Sequence, residues 1–172
     1  GASGHFRLML LFKSAHFASR GARRYQEDAA MISPDVSAQG GDAPDRLVAV
    51  LADGMGGHAG GAVASRLVCE TFIDSIKRAA GGSRERLRSA LDAANVAIAE
   101  HVAKNPALRG MGSTLVGTLF GPEGLEWVSV GDSPLYLYRN GEIALLNEDH
   151  SLAPLLDQLA AEGRLSEEEE RA

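Results

Sequence analysis

The residues best equipped for chemistry are acidic and stand beside glycines. Asp53 is followed by Gly54, Gly56, Gly57 and Gly60, with His58 inside the run. Glycines let backbone approach a ligand closely. Carboxylate and carbonyl oxygens at such a turn suit a hard cation such as Mg²⁺ or Mn²⁺. A second acidic pair, Glu27-Asp28, opens the apolar stretch Ala29 to Ile32, with Arg23 and Arg24 just upstream. A guanidinium can hold a phosphate by two parallel hydrogen bonds, which a single ammonium cannot. The third acidic position is Asp132 in Gly131-Asp132-Ser133, between two apolar stretches. Taken singly, each is an ordinary polar turn. Their joint occurrence, in order and at strand ends, is what gives them weight.

The elements that must position these residues follow from periodicity. Leu47 to Leu51 read as a buried strand ending at Asp53, after a surface loop from Pro34 to Pro44. Val63, Leu67, Val68, Phe72 and Ile76 recur at helical spacing and stop at Gly81-Gly82. A second helix has Ser83 as its expected N-cap and Leu87, Ala90, Leu91, Ala94 and Ile98 as its apolar stripe, with Pro106 beyond its end. The period then changes to strands. Thr114 to Phe120 and Leu125 to Val130 flank Gly121-Pro122-Glu123-Gly124. Leu135 to Tyr138 and Glu142 to Leu146 flank Arg139-Asn140-Gly141, whose Asn-Gly pair is a two-residue hairpin turn. Further helices are expected from near Ser151 and from Ser166, where Ser-Glu-Glu-Glu forms a capping box. At the other end, Leu8 to Phe12 reads as a strand behind a floppy Gly1 to Gly4. Strands and helices are segregated, which argues for an α+β fold: an antiparallel β-sandwich flanked by helices.

Composition narrows the class. The chain has 172 residues, 45% of them hydrophobic and 23% charged, enough for one domain with a real core or most of a larger one. A net charge of −6 gives a nucleic-acid role little electrostatic support. Much of the excess is the run Glu167 to Glu170, which reads as a solvated helix face. No segment is long enough to span a bilayer. The single cysteine, Cys69, cannot form an internal disulfide, so the expected setting is a reducing cytoplasm. No serine or cysteine stands in a triad-like setting that would argue for a protein nucleophile.

Together these pieces resemble the metal-dependent PP2C-type serine/threonine protein phosphatases in their bacterial form. The matching segments are Arg23 through Asp28, Asp53 to His58 with Gly60-Gly61, Gly112-Ser113-Thr114, Gly131-Asp132-Ser133 and Asp149-His150-Ser151. The resemblance implies a hydrolase that attacks a phosphoester with metal-activated water. It implies that Asp53 bridges two Mn²⁺ or Mg²⁺ ions and that the Gly54 carbonyl ligates one. Glu27 and Asp28 would act through waters or support the shell, and Asp132 would help bind a third, weaker ion. Arg23 would hold the substrate phosphate, and His58 would donate a proton to the leaving alkoxide. The substrate would be a phosphorylated protein or a small phosphoester.

Departures from the family pattern are also visible. Gln26 replaces a common asparagine, Ser113 a common threonine, and Pro134 the usual arginine after Gly-Asp-Ser, so the local strand start is expected to differ. Nothing after Ser151 matches the family's late Ser-Asp-Gly strand or Asp-Asn pair. Residues 1–20 therefore read as lead-in and first strand, and 21–172 as the N-terminal portion of a phosphatase domain truncated at its C-terminal end. Unpaired edges in such a chain would favour a homodimer or strand-exchanged oligomer. Two further readings stay open: a non-catalytic binding or regulatory module, and a fragment with a different, promiscuous hydrolytic site.

Overall fold

A computed structural model describes residues 11–22, 24–35, 45–56 and 60–148. Two antiparallel strands, β1 (Asp28–Asp35) and β2 (Arg46–Met55), come first. The helices α1 (Gly60–Arg78) and α2 (Ser83–Lys104) follow, then a 3₁₀ turn at Pro106–Leu108. The remaining strands are β3 (Gly112–Ser113), β4 (Leu115–Gly121), β5 (Gly124–Val130), β6 (Tyr136–Arg139) and β7 (Glu142–Leu145). The main sheet has the order β1-β2-β4-β5, with β3 also on β2, while β6 and β7 form a separate two-stranded sheet. The expected α+β class with antiparallel sheets and flanking helices is what the described residues form.

The core lies between the helices and one face of the main sheet. Along β2, Val48, Val50 and Ala52 alternate inward as a half-buried strand requires. They meet Val68, Cys69, Phe72 and Ile76 of α1, and Leu87, Ala90 and Ala94 of α2. Of the expected α1 stripe, Val63 and Leu67 are only half-buried, whereas Cys69 and Ile73 are buried in the core. The Phe72 ring presses against Gly117 of β4: a Cβ there would sit 2.7 Å from Cε2 and 2.8 Å from Cε1. The opposite face of the sheet carries Leu51, Phe120 and Trp127, which are 45%, 45% and 38% exposed.

Several local expectations change. The stretch expected to be a loop from Pro34 gives its first two residues to β1, where Pro34 opposes Leu47 and Asp35 opposes Arg46. A proline is tolerated there because β1 is an edge strand among the described residues. Leu11 and Phe12 are not in a strand. Phe12 instead meets Phe120 edge-on, with ring centroids 5.6 Å apart at 67°. Ser83 is not the N-cap of α2. Gly82 holds that position in an extended conformation, and Ser83 Oγ accepts a bond from Arg46 Nη1 at 2.9 Å.

That bond belongs to a polar cluster at one end of β2. Arg86 grips the Asp35 carboxylate with both terminal nitrogens, at 2.8 and 2.9 Å, and both residues are buried. Arg86 also donates to the Ile76 carbonyl at 2.6 and 3.2 Å, satisfying a carbonyl in the last turn of α1. Arg46 reaches Glu123 at 2.9 Å. The hairpin turn between β6 and β7 takes the expected left-handed form, with φ of 55° at Asn140 and 83° at Gly141. Arg23, His58, Leu8 to Leu10, Asp149-His150-Ser151 and the expected helices from Ser151 and Ser166 lie outside the described residues. Among the described residues, no helix is long and apolar enough to cross a membrane.

Candidate metal and phosphate site

β2 does not end at Asp53 as its sequence suggested. It runs on through Gly54 and Met55, because both neighbours extend alongside it. On one side Asp28 opposes Asp53, and Gly54 N donates to the Glu27 carbonyl at 3.0 Å. On the other, Gly54 opposes Ser113 and Met55 opposes Gly112. The glycine-rich turn starts after that, at Gly56, whose φ of 132° calls for glycine.

Register decides which acidic groups share a face. Directly opposed residues in an antiparallel pair point to the same side, so Asp28 and Asp53 project together, away from the helices. Both are exposed, and like charges so placed favour a cation between them. Glu27, one residue earlier, turns to the opposite side. It is half-buried against the start of α1.

Two glycines cross at that point. A Cβ on Gly54 would collide with the Gly61 carbonyl. A Cβ on Gly61 would lie 2.8 Å from the Gly54 carbonyl oxygen and 2.9 Å from Glu27 Oε1. Two oxygens therefore lie close against the Gly61 Cα, at a spot that only glycine fits. The donors are all oxygens, as a hard dication requires, so the residues present fit Mn²⁺ or Mg²⁺. Asp53, Gly54, Glu27 and Asp28 are gathered at one end of the β1–β2 pair. Among the described residues, no three acidic, histidine or cysteine side chains converge tightly enough to enclose a cation unaided.

Asp132 follows β5 on a turn begun by Gly131, whose φ is 91°. The carboxylate is exposed. Its turn is tied to β2 by hydroxyls to which the sequence reading assigned no role. Asp53 N donates to Thr114 Oγ1 at 3.0 Å, and Thr114 Oγ1 lies 2.6 Å from Ser133 Oγ. Asn147 holds the far side, donating to the Ser133 carbonyl at 2.9 Å and accepting from Leu135 N at 2.7 Å. With Leu135 committed to Asn147 and Pro134 lacking an N–H, β6 begins only at Tyr136. The signal that could have found this system is the pair of hydroxyls, Ser113-Thr114, directly before an apolar strand.

Cys69 takes no part. It is fully buried, its Sγ 3.6 Å from the Ala29 carbonyl, and burial, with a smaller effect from Glu70, pushes the thiol up to about 12. A thiol held protonated is a poor nucleophile.

Comparison with known proteins decides the family. The family model described as "Protein phosphatase 2C" matches residues 27–160. The chain belongs to the protein phosphatase 2C family. It is 43% identical over 125 residues to the serine/threonine protein phosphatase PstP of Mycobacterium tuberculosis, covering 72% of this chain and 24% of that protein. Against the serine/threonine phosphatase stp of Listeria monocytogenes it is 33% identical over 127 residues, covering 71% of this chain and 49% of that one. Among solved structures, the PstP catalytic domain in complex with two manganese ions superposes with a TM-score of 0.58 at 36% identity, over 83% of this chain and 62% of that one. Stp1 from Staphylococcus aureus gives 0.71 at 27% identity, over 96% and 63%. The chain thus spans between a quarter and a half of the length of these curated relatives.

Proposed function

We propose that this chain carries the metal- and phosphate-binding half of a phosphoserine/phosphothreonine protein phosphatase that works with Mn²⁺ or Mg²⁺. The observation that carries this reading is the register that sets Asp28 opposite Asp53, with both carboxylates exposed on one face at the end of the β1–β2 pair where Gly54 and Glu27 also lie. In a family whose relatives are named serine/threonine phosphatases, a cation is the natural ligand of that acidic pair.

When bound, the divalent ions offset phosphate charge and activate the attacking water. The chain's own residues do the rest. Asp53 supplies the carboxylate on which the ions depend, with its backbone fixed on both sides by β1 and Thr114. Gly54 offers a carbonyl, and Glu27 and Asp28 offer oxygens from the neighbouring strand. Asp132 serves a further, weaker ion. Arg23 orients the phosphoryl group by two parallel hydrogen bonds, and His58 protonates the leaving alkoxide. Manganese as one occupant is supported by a solved relative, the PstP catalytic domain, which is in complex with two manganese ions.

The test is hydrolysis of a phosphothreonine peptide and of p-nitrophenyl phosphate, with and without Mn²⁺. Asp53→Asn keeps the shape and removes the charge. Activity should fall by at least the ~10–100-fold that losing an outer-shell partner costs a metal site. Metal-independent hydrolysis, or an Asp53→Asn variant as fast as the parent, would remove the basis for this reading.

A further inference from the structure

The β2–β4 ladder keeps one register from Leu51 opposite Val116 to Gly54 opposite Ser113, which sets Asp53 opposite Thr114. At that one position the ladder is altered. Thr114 N donates to the Asp53 carbonyl at 2.9 Å, as a strand partner should. The return bond, from Asp53 N, goes to the Thr114 hydroxyl at 3.0 Å instead of to a carbonyl. The Thr114 carbonyl is taken by Ser113 Oγ at 2.8 Å. A side chain has replaced backbone in the ladder at the residue on which the site depends.

The same hydroxyl does a second job. It lies 2.6 Å from Ser133 Oγ, with either atom able to donate, and a hydroxyl has one proton and two lone pairs to serve both contacts. Its methyl group is also in use: a Cβ on Gly131 would sit 2.8 Å from Thr114 Cγ2. Thr114 therefore touches the residue before Asp132, the residue after it, and Asp53 itself.

We propose that Thr114 is a positioning residue whose hydroxyl couples the Asp53 backbone to the Asp132–Ser133 turn, setting the two acidic positions as one unit. Ladder hydrogen bonds alone would fix Asp53 relative to β4 but not relative to the turn after β5. The shared hydroxyl supplies that missing constraint, and Asn147 braces the turn from the other side. The inference rests on the reading of Asp53 and Asp132 as metal-binding residues, and its test separates the two.

Thr114→Val keeps the methyl contact and removes the hydroxyl; Thr114→Ser does the reverse. Mn²⁺ affinity is measured by calorimetry on the full chain, together with amide hydrogen exchange at Asp53 and, as a core reporter, at Val50. Thr114→Val should weaken Mn²⁺ binding by about 10-fold, in the range seen when an outer-shell partner of a metal site is lost. Exchange at Asp53 should quicken while Val50 is unmoved, and Thr114→Ser should return both readouts close to the parent. If Thr114→Val binds Mn²⁺ like the parent while Asp53→Asn does not, the coupling is wrong and the metal reading stands. Equal losses in the Val and Ser variants, or faster exchange at Val50 as well, would mean that Thr114 only packs. If neither Thr114→Val nor Asp53→Asn alters Mn²⁺ binding, the metal reading falls and takes this inference with it.

Discussion

The two ends of β2 handle charge in opposite ways. At the Arg46 end, charges are matched inside the protein. Arg86 holds Asp35 with two short contacts while both are buried, and Arg46 reaches Ser83 and Glu123. At the Asp53 end the chain spends its hydrogen bonds on backbone, and the carboxylates of Asp28, Asp53 and Asp132 lie at the surface. At one end the charges meet the chain's own side chains, with only Asp35 Oδ2 and Arg46 Nε lacking a hydrogen bond among its described buried atoms, so its charge serves the fold. The other fixes main chain and sets three acidic residues at the surface, the arrangement that the proposed cation site calls for. The same strand, within ten residues, carries both the anchor and the acidic end proposed above as the site.

That contrast can be broken most severely at Arg86. Arg86→Ala leaves a buried carboxylate at Asp35 and an unmet carbonyl at Ile76, and should cost about 3–5 kcal/mol of folding stability. Urea unfolding measures it, and Mn²⁺ affinity of the folded protein should not change. A loss under about 1 kcal/mol, typical of an exposed pair, would show that the far end is not an anchor.

Gly61→Ala probes the other end. Its Cβ would enter the space between Gly54 O and Glu27 Oε1, at 2.8 and 2.9 Å. Overpacking of about 1–3 kcal/mol is partly offset by the better helix propensity of alanine, near 1 kcal/mol. Stability should therefore fall less than in Arg86→Ala, while Mn²⁺ binding measured by calorimetry falls much more. Unchanged Mn²⁺ affinity would show that the Gly54 carbonyl and Glu27 take no part in holding an ion.

The smallest effect is expected at Glu123, which is 70% exposed opposite a buried Arg46. Glu123→Ala should shift stability by no more than about 1 kcal/mol, because water screens the exposed partner. A melting curve displaced as far as that of Arg86→Ala would mean that the anchor extends through Arg46 to the β4–β5 turn.

Sequence reasoning reached the elements whose pattern is local. The apolar stripes of α1 and α2 and the Asn140-Gly141 turn each announce themselves within a few residues. Glu27, Asp28, Asp53 and Gly54 form a compact acidic and glycine pattern in the sequence, and the fold brings them to one end of the β1–β2 pair. What escaped depends on partners distant in the chain. The continuation of β2 through Gly54 and Met55 has no side-chain signature; it exists because Gly112-Ser113 and the Glu27 carbonyl run beside it. Ser83 stands where an N-cap is expected, but its hydroxyl is claimed by Arg46, 37 residues away. Nothing in the local pattern marks Arg86, whose partner Asp35 lies 51 residues away. Thr114 lies within Gly112-Ser113-Thr114, yet only the fold sets its hydroxyl between Asp53 and Ser133.

The contact between Phe72 and Gly117 has a consequence for descent. The ring occupies the room a side chain at 117 would need, so volume at these two positions is a shared quantity. A smaller residue at 72 would leave room for a methyl group at 117, whereas the aromatic ring at 72 confines 117 to glycine. A single change at either position passes through an overfilled or hollow intermediate. The helix and the strand are thus expected to drift together at this point, while neighbouring positions vary on their own.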